Sequence, residues 1–574
     1  MMKSLRVLCA IAGMISSSLA LDREAFTFTK YDLNIALEPQ QQRLGARGKV
    51  TLRNDSAQPQ KIAVLQISSS LTWHSIKVDG KAVQYVTQPY TSDIDHTGGL
   101  SEAIVTLPVE IKPRDSVELE VGYEGTIVQD STRLTQIGVP EDIAKHTSWD
   151  QISPAFTGVR GAGHVAWYPI ATEAADFSEG NSMFQVADRL RARESGSNMK
   201  LSISTDAGQN DPKVEVLCNG VGGSGDTRGG SPHFHWAECE YAPFGLSVPA
   251  FVSARLNVKA SVNAAILVRT YFLDGNEDGA YAYTDAAELT AKFVSEWFGQ
   301  SKASVSMIDL PDAKATPSES GNMLLVAMKG ADPKLVEINL VHQLVHSAFT
   351  SPRPWIHEGL AHFAEAVFRE QRQDGRAAAI DFLNLHRIAF VEEEKDVSAS
   401  PQKNPGQPLA TTFDESYYRS KAAYVWWMLR DMVGDDALKQ SIHNYRAADD
   451  KDPKYVEQLV SAASKRDLAW FFDDWVYHDR GLPDLHVLAV HSQKSAQDTQ
   501  IVAVTLENLG AAGAEVPFTI RFGTGEITRR IEVRAKATAT TRVQVPGMPT
   551  EVVVNDGSVP ESDLTNNVFK VSEP

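Results

Sequence analysis

Hydrophobic and polar positions change rhythm twice along the 574 residues of this chain. From Tyr31 the period is two: Leu33, Ile35 and Leu37 alternate with polar neighbours, and similar runs recur at Lys49–Leu52, Lys61–Ile67, Ala103–Val109 and Ser116–Tyr123. Asn54-Asp55-Ser56 and Asp79-Gly80 provide turns between them. Further strands are predicted at Met199–Thr205, Lys213–Cys218, His233–Tyr241 and Pro249–Val258, which makes residues 21–262 an N-terminal β-sandwich domain. Near Asp285 the period becomes helical: Asp285 with Glu288 reads as a capping box, Leu289, Phe293, Val294, Trp297 and Phe298 share a face, and Gly299 ends the element. Strands at Ala303–Ile308 and Met323–Met328 lead into a helix over Leu335–Phe349, which Pro352 and Pro354 terminate before another begins at Trp355. Helices follow at Arg376–Val391, Tyr418–Val433, Asp436–Tyr445, Lys454–Ala463 and Leu468–His478, closing a unit over 263–483 at Gly481-Leu482-Pro483. Short alternating strands at Leu485–His491, Gln500–Leu506, Pro517–Phe522, Thr528–Val533, Thr541–Val545 and Glu551–Val554 make 484–574 an immunoglobulin-like β-sandwich. The fold class is therefore multidomain α+β.

The first 20 residues stand apart from this pattern. Basic Lys3 and Arg6, an apolar run from Val7 to Ile15 and the small-residue stretch Ser16–Ala20 have the form of a secretory signal peptide cleaved after Ala20. Cys9 lies too early in that run to be a lipid-attachment site. Export, to a periplasm or outside the cell, makes the remaining pair, Cys218 and Cys239, a disulfide. No later stretch is apolar enough to span a bilayer. A formal charge of −18 repels nucleic acid and anionic membrane, which removes two partner classes and leaves peptide or protein ligands, with oligomeric state open. The glycine-rich run Asn219–Gly225, with Gly229-Gly230 beyond it, lacks the following helix and Gly-Lys-Ser/Thr ending of a phosphate cradle and reads as a hairpin loop.

Chemistry concentrates in Val341–Glu365. His342 and His346 are four apart on the predicted helix, so both imidazoles leave one face and can share a metal ion. Glu358, in Trp355-Ile356-His357-Glu358-Gly359, offers a third ligand on the next helix, and a His2Glu set leaves a fourth position for water, as at catalytic zinc. His357 and His362 read as packing or hydrogen-bonding residues, His362 at best supporting a ligand. Where H-E-x-x-H places its general base, this chain has Gln343.

The order of β-domain, histidine helix, helical unit and β-sandwich resembles the gluzincin metallopeptidases, specifically the membrane alanyl aminopeptidase (peptidase MA-like) family. The resemblance runs from about Phe26 to Pro483 and is carried by Tyr31-Asp32-Leu33, Ala166-Trp167-Tyr168-Pro169, the metal region, Tyr418–Gly434, and Asp467-Leu468 through Phe471-Phe472, Trp475 and Gly481-Leu482-Pro483. It implies a thermolysin-like domain and one zinc ion held by His342, His346 and Glu358; Glu365 stands at the family's long-form distance of nineteen residues from His346 and competes as third ligand, but the family's Trp-x-x-Glu-Gly context favours Glu358. It further implies Glu365 as a carboxylate orienting a histidine, and Tyr418, or Tyr417 one residue away, as the oxyanion donor. Three departures qualify it. Gln343 cannot take a proton, twelve residues rather than nineteen separate His346 from Glu358, and Gly321-Asn322-Met323-Leu324 stands where the family has Gly-x-Met-Glu-Asn, without its amine-gripping glutamate. The expected function is peptide hydrolysis by zinc-activated water, weakened at Gln343; the alternative is a pseudoenzyme that binds peptide or metal, or serves as a scaffold.

Overall fold

The computed structural model describes residues 21–571 other than 181, 207–213, 226–233, 263–265, 301–303, 373–374, 400–405, 496–498 and 524. The signal segment and Gly229-Gly230 lie outside the described residues. The protein is a mixed α+β molecule of several sheets and helices.

Period-two patterning becomes an eight-stranded sheet around Phe26–Glu38, in which Tyr31, Leu33, Ile35 and Leu37 are buried while Asp32, Asn34, Ala36 and Glu38 face solvent. That strand pairs antiparallel with Arg43–Asn54 and parallel with Asn198–Asp206. A three-stranded sheet of Gln60–Ser68, Gly99–Ile111 and Gln84–Thr91 shares the same core. Val221–Gly225, within the glycine-rich run, is an edge strand on Phe234–Tyr241, and a Cys218–Cys239 disulfide ties the latter strand to Glu215–Cys218 of a smaller sheet.

The central sheet has five strands in the order Asn257–Val262, Leu267–Phe272, Val305–Asp309, Met323–Val326, Ser318–Ser320. Its three inner strands run parallel and the outer two antiparallel. Asn257–Val262, at the end of the N-terminal unit as drawn from the pattern, thus pairs into this second sheet. The helix between Leu267–Phe272 and Val305–Asp309 begins at Glu277, not at Asp285. Glu277 and Asp278 complement the helix dipole in its first turn, and Gly279 lets the extra turns approach the sheet, since a Cβ there would lie 2.0 Å from the Met328 carbonyl oxygen. Ala280 and Thr284 pack there beside Tyr283, so this stretch offered one large apolar position and not the repeated spacing that marks a helix in sequence.

Helices Pro333–Ala348, Pro354–Arg372, Arg376–Ala399, Ala422–Val433, Asp435–Asn444 and Tyr455–Ser464 follow. Two expected helices contain π-turns, at Ser416–Lys421 before Ala422 and at Asp473–Tyr477 after Phe472. The C-terminal strands form a three-stranded sheet, Leu485–Lys494, Gln500–Asn508 and Ala537–Val545, and a four-stranded one, Gly525–Val533, Ala514–Phe522, Pro549–Val554 and Val568–Lys570. Their inward side chains, including Val504, Phe518 and Val552, belong to the same continuous core as the helices. A separate small core of Trp149, Phe156, Leu217 and Val252 against Ile308, Leu310 and Leu325 joins the N-terminal strands to the central sheet. Among the described residues, no helix is long and apolar enough to cross a membrane.

Candidate metal centre

Asp332 caps the histidine helix by accepting from Lys334 N at 2.9 Å, with Pro333 in the first turn. Val336, Leu340, Val341, Leu344 and Val345 bury its other sides, which leaves His342 and His346 on the remaining face with their Nε2 atoms 3.0 Å apart. The following helix, Pro354–Arg372, returns Glu358 to that face. Its Oε2 is 3.7 Å from His342 Nε2 and its Oε1 is 3.6 Å from His346 Nε2. Two turns on, Glu365 Oε1 lies 2.6 Å from His342 Nδ1, which orients the ring with Nε2 toward the cluster. Glu365 also approaches His362 Nδ1 at 3.3 Å.

A second carboxylate comes from the sheet edge. Glu319, in the middle of Ser318–Ser320, places Oε1 2.9 Å from His342 Nε2 and 3.5 Å from His346 Nε2. Among the described residues, three overlapping sets of groups could hold a metal: Glu319 with His342 and His346, His342 with Glu358 and His362, and His346 with His357 and Glu358. The His357 ring lies 4.1 Å from that of His346, and the His362 ring packs between those of His342 and His386.

The charges are strongly coupled. Burial pushes the Glu319 and Glu358 carboxyls up, but the facing imidazoles, with Arg419 acting on Glu358, more than offset it and hold both well below the usual range. Glu365 is similarly lowered to about 2, against its burial, by His342 and His362. His342 is driven the other way: burial disfavours its charge, and Glu319, Glu358 and Glu365 overcome that. His357, buried beside His346, falls to about 3. Two imidazole Nε2 atoms with flanking carboxylates, Glu358 Oε2 among them accepting no hydrogen bond, form a donor set that fits zinc.

The two positions expected to handle protons look elsewhere. Gln343 is fully buried and its Nε2 donates to the Gly321 carbonyl at 2.8 Å. Tyr418, in the π-turn Ser416–Lys421, donates its hydroxyl to Asp188 Oδ2 at 2.7 Å, across to the helix Ser182–Glu194 of the N-terminal strands' unit. Burial raises the Tyr418 phenol and also the Asp188 carboxyl. Tyr417 lies in the same turn, buried, with Lys421 Nζ over its ring. Arg419, next to Tyr418, reaches Glu358 Oε2 with Nε at 3.4 Å and also pairs with Glu415.

Sequence reasoning did not single out Glu319, Arg419 or Asp188. Glu319 sits in a polar stretch without a motif, and only the hairpin that folds Ser318–Ser320 back on Met323–Val326 brings it to the histidines. The available signal was the turn Ser320-Gly321-Asn322 just before an apolar strand; Gly321 has φ +57°, which favours glycine.

No protein-family model matches the chain, and no curated protein matches it by sequence. Solved structures do. A mutant M1 zinc metallopeptidase from Deinococcus radiodurans, bound to a Tyr-Ser-Ala substrate, superposes with a TM-score of 0.50 at 17% identity, over 80% of this chain and 96% of that one. The same organism's mutant enzyme without that substrate gives a TM-score of 0.46 at 16% identity, over the same shares. The first likeness shows that the chain shares the fold of a zinc metallopeptidase.

Proposed function

We propose that this protein is exported and binds one zinc ion through His342, His346 and Glu358. Its peptidase-like cleft takes peptides and hydrolyses them weakly or not at all. In this reading residues 21–262 are an N-terminal β-sandwich, 263–483 a thermolysin-like gluzincin domain and 484–574 an immunoglobulin-like sandwich. The observation that carries it is the approach of Glu358 to both histidines, Oε2 3.7 Å from His342 Nε2 and Oε1 3.6 Å from His346 Nε2, beside a Gln343 whose Nε2 is bound to the Gly321 carbonyl.

A bound zinc ion supplies a Lewis acid for a peptide carbonyl. Around it, Glu365 fixes the His342 ring and Arg419 steadies Glu358. Gln343 can donate a hydrogen bond but cannot accept a proton at neutral pH, which removes a contribution of about 10²–10⁴-fold. Tyr418 must leave Asp188 before its hydroxyl can support a developing oxyanion. Because the Gln343 Nε2 and the Tyr418 hydroxyl are both engaged within the protein, the binding-protein reading gains support beside the enzymatic one.

The test combines intact mass, metal analysis and peptide hydrolysis on the mature exported protein. The proposal expects a chain beginning near Leu21, one zinc per chain, and turnover of blocked and unblocked peptides far below about 1 s⁻¹. Hydrolysis at ordinary enzyme rates would show that another group serves as base; protein purified without chelator and found metal-free would remove the zinc.

A further inference from the structure

Glu319 approaches the histidines from a direction that neither helix supplies. A tetrahedral zinc site with N and O ligands at about 2.0–2.1 Å has ligand atoms about 3.3–3.4 Å apart. Here His342 Nε2 and His346 Nε2 are 3.0 Å apart, Glu319 Oε1 is 2.9 and 3.5 Å from them, and the nearer Glu358 oxygens are 3.7 and 3.6 Å away. For Glu319 and the two histidines these separations bracket the edge of such a tetrahedron, while Glu358 approaches each histidine with a different oxygen. A carboxylate placed to draw a proton from water at that point stands one hydrogen bond, about 2.7 Å, farther out. Glu319 is inside that shell.

Its backbone is fixed on both sides. Ser320 Oγ accepts from Val248 N at 2.7 Å and donates to Val248 O at 2.8 Å, and Asn219 Nδ2 donates to Ser320 O at 3.2 Å. From the opposite side Gln343 Nε2 donates to Gly321 O at 2.8 Å. The N-terminal unit and the histidine helix therefore grip the hairpin that carries Glu319, the arrangement of a preorganised ligand. It also gives Gln343 a role. An amide can donate to the Gly321 carbonyl, whereas a carboxylate at that position would face it with like charge.

We infer that Glu319 is a fourth protein ligand, which with His342, His346 and Glu358 closes the coordination of the metal and leaves no position for water or a substrate carbonyl. This rests on the zinc-binding reading above and turns the centre from an open, catalytic type into a closed, structural one.

The experiment uses the full mature chain, stripped of metal and loaded with Co²⁺, whose visible spectrum reports coordination. The wild-type spectrum should be of four-coordinate intensity and unmoved by azide, whereas Glu319→Ala should shift on azide addition. Zinc affinity, measured by competition with a chromophoric chelator, should fall at least about tenfold in the near-isosteric Glu319→Gln, with the apo-protein melting temperature confirming its fold. A wild-type cobalt protein that responds to azide, or a Glu319→Gln affinity within about twofold of wild type, overturns the fourth ligand while leaving the zinc site standing. A wild type that takes up neither zinc nor cobalt overturns both.

Discussion

His342 and His346 hold their Nε2 atoms 3.0 Å apart and Glu358 approaches both from the next helix, while the Gln343 Nε2 and the Tyr418 hydroxyl donate into the protein, to Gly321 and Asp188. The metal-facing half of the cleft is built from neighbours four and seven residues apart, so a single pair of helices determines it. The proton-handling half depends on the edge hairpin and on a helix from another unit. Contacts of that second kind can change partners without disturbing the fold. The difference is that side chains set by helical period converge by local geometry, whereas those set by contacts between units depend on how the units pack.

The largest expected effect separates the two halves outright. His346→Ala should abolish stoichiometric zinc, as measured by elemental analysis, while His362→Ala should keep it; loss in both would mean that the metal half extends to the second histidine pair. Next comes Gln343→Glu. Alone it exchanges a donor to the Gly321 carbonyl for a carboxylate, and little turnover should appear. Combined with Glu319→Ala, which frees the position above the histidines, peptide hydrolysis should rise by at least about a hundredfold, the lower end of what a positioned base contributes. A fluorogenic peptide assay reads both, and full activity in the single variant would erase the assigned role of Glu319.

Tyr418→Phe removes one donor from the buried Asp188 carboxylate, which retains Arg191 at 2.7 Å. Destabilisation of about 1–3 kcal/mol in urea unfolding, with zinc affinity intact, is the expected result. Parallel loss of zinc would instead couple the halves. A pH-dependent effect on stability alone lies at the far end of the same helix, where burial pushes the Glu194 carboxyl from 4.5 up to about 8. A group raised in the folded state contributes stability that is complete below its unfolded value and is lost as pH rises through the folded one. Glu194→Gln should therefore melt with the wild type near pH 4.5 and progressively above it toward pH 8, without altering zinc affinity at any pH.

These experiments also mark where reading the chain alone stops. The His342–His346 spacing, the return of Glu358 and the alignment of Glu365 follow from helical period, and the Tyr31 strand from period two; each is local. Asp188 meets Tyr418 across 230 residues, and no pattern near either announces it. Glu319 is close in sequence yet equally hidden, because its place depends on which edge of the sheet the hairpin joins. The early start of the helix at Glu277 escaped for a different reason: Gly279, Ala280 and Thr284 pack there with Tyr283 as the one large apolar position, short of the repeated spacing that advertises a face.

The single core that runs from the helices into the C-terminal strands has a mechanical meaning. Trp475, fully buried, donates its indole N–H to Gly513 O at 2.8 Å; Gly513 N returns a bond to Asp474, while Arg376 pairs with Asp556 and Arg466 with Glu515. The landmark at Pro483 is thus a seam in the sequence but not a joint in the solid. Residues 484–574 act as a buttress, and the stiffness with which the two ligand-bearing helices hold their spacing is borrowed in part from strands that never approach the histidines.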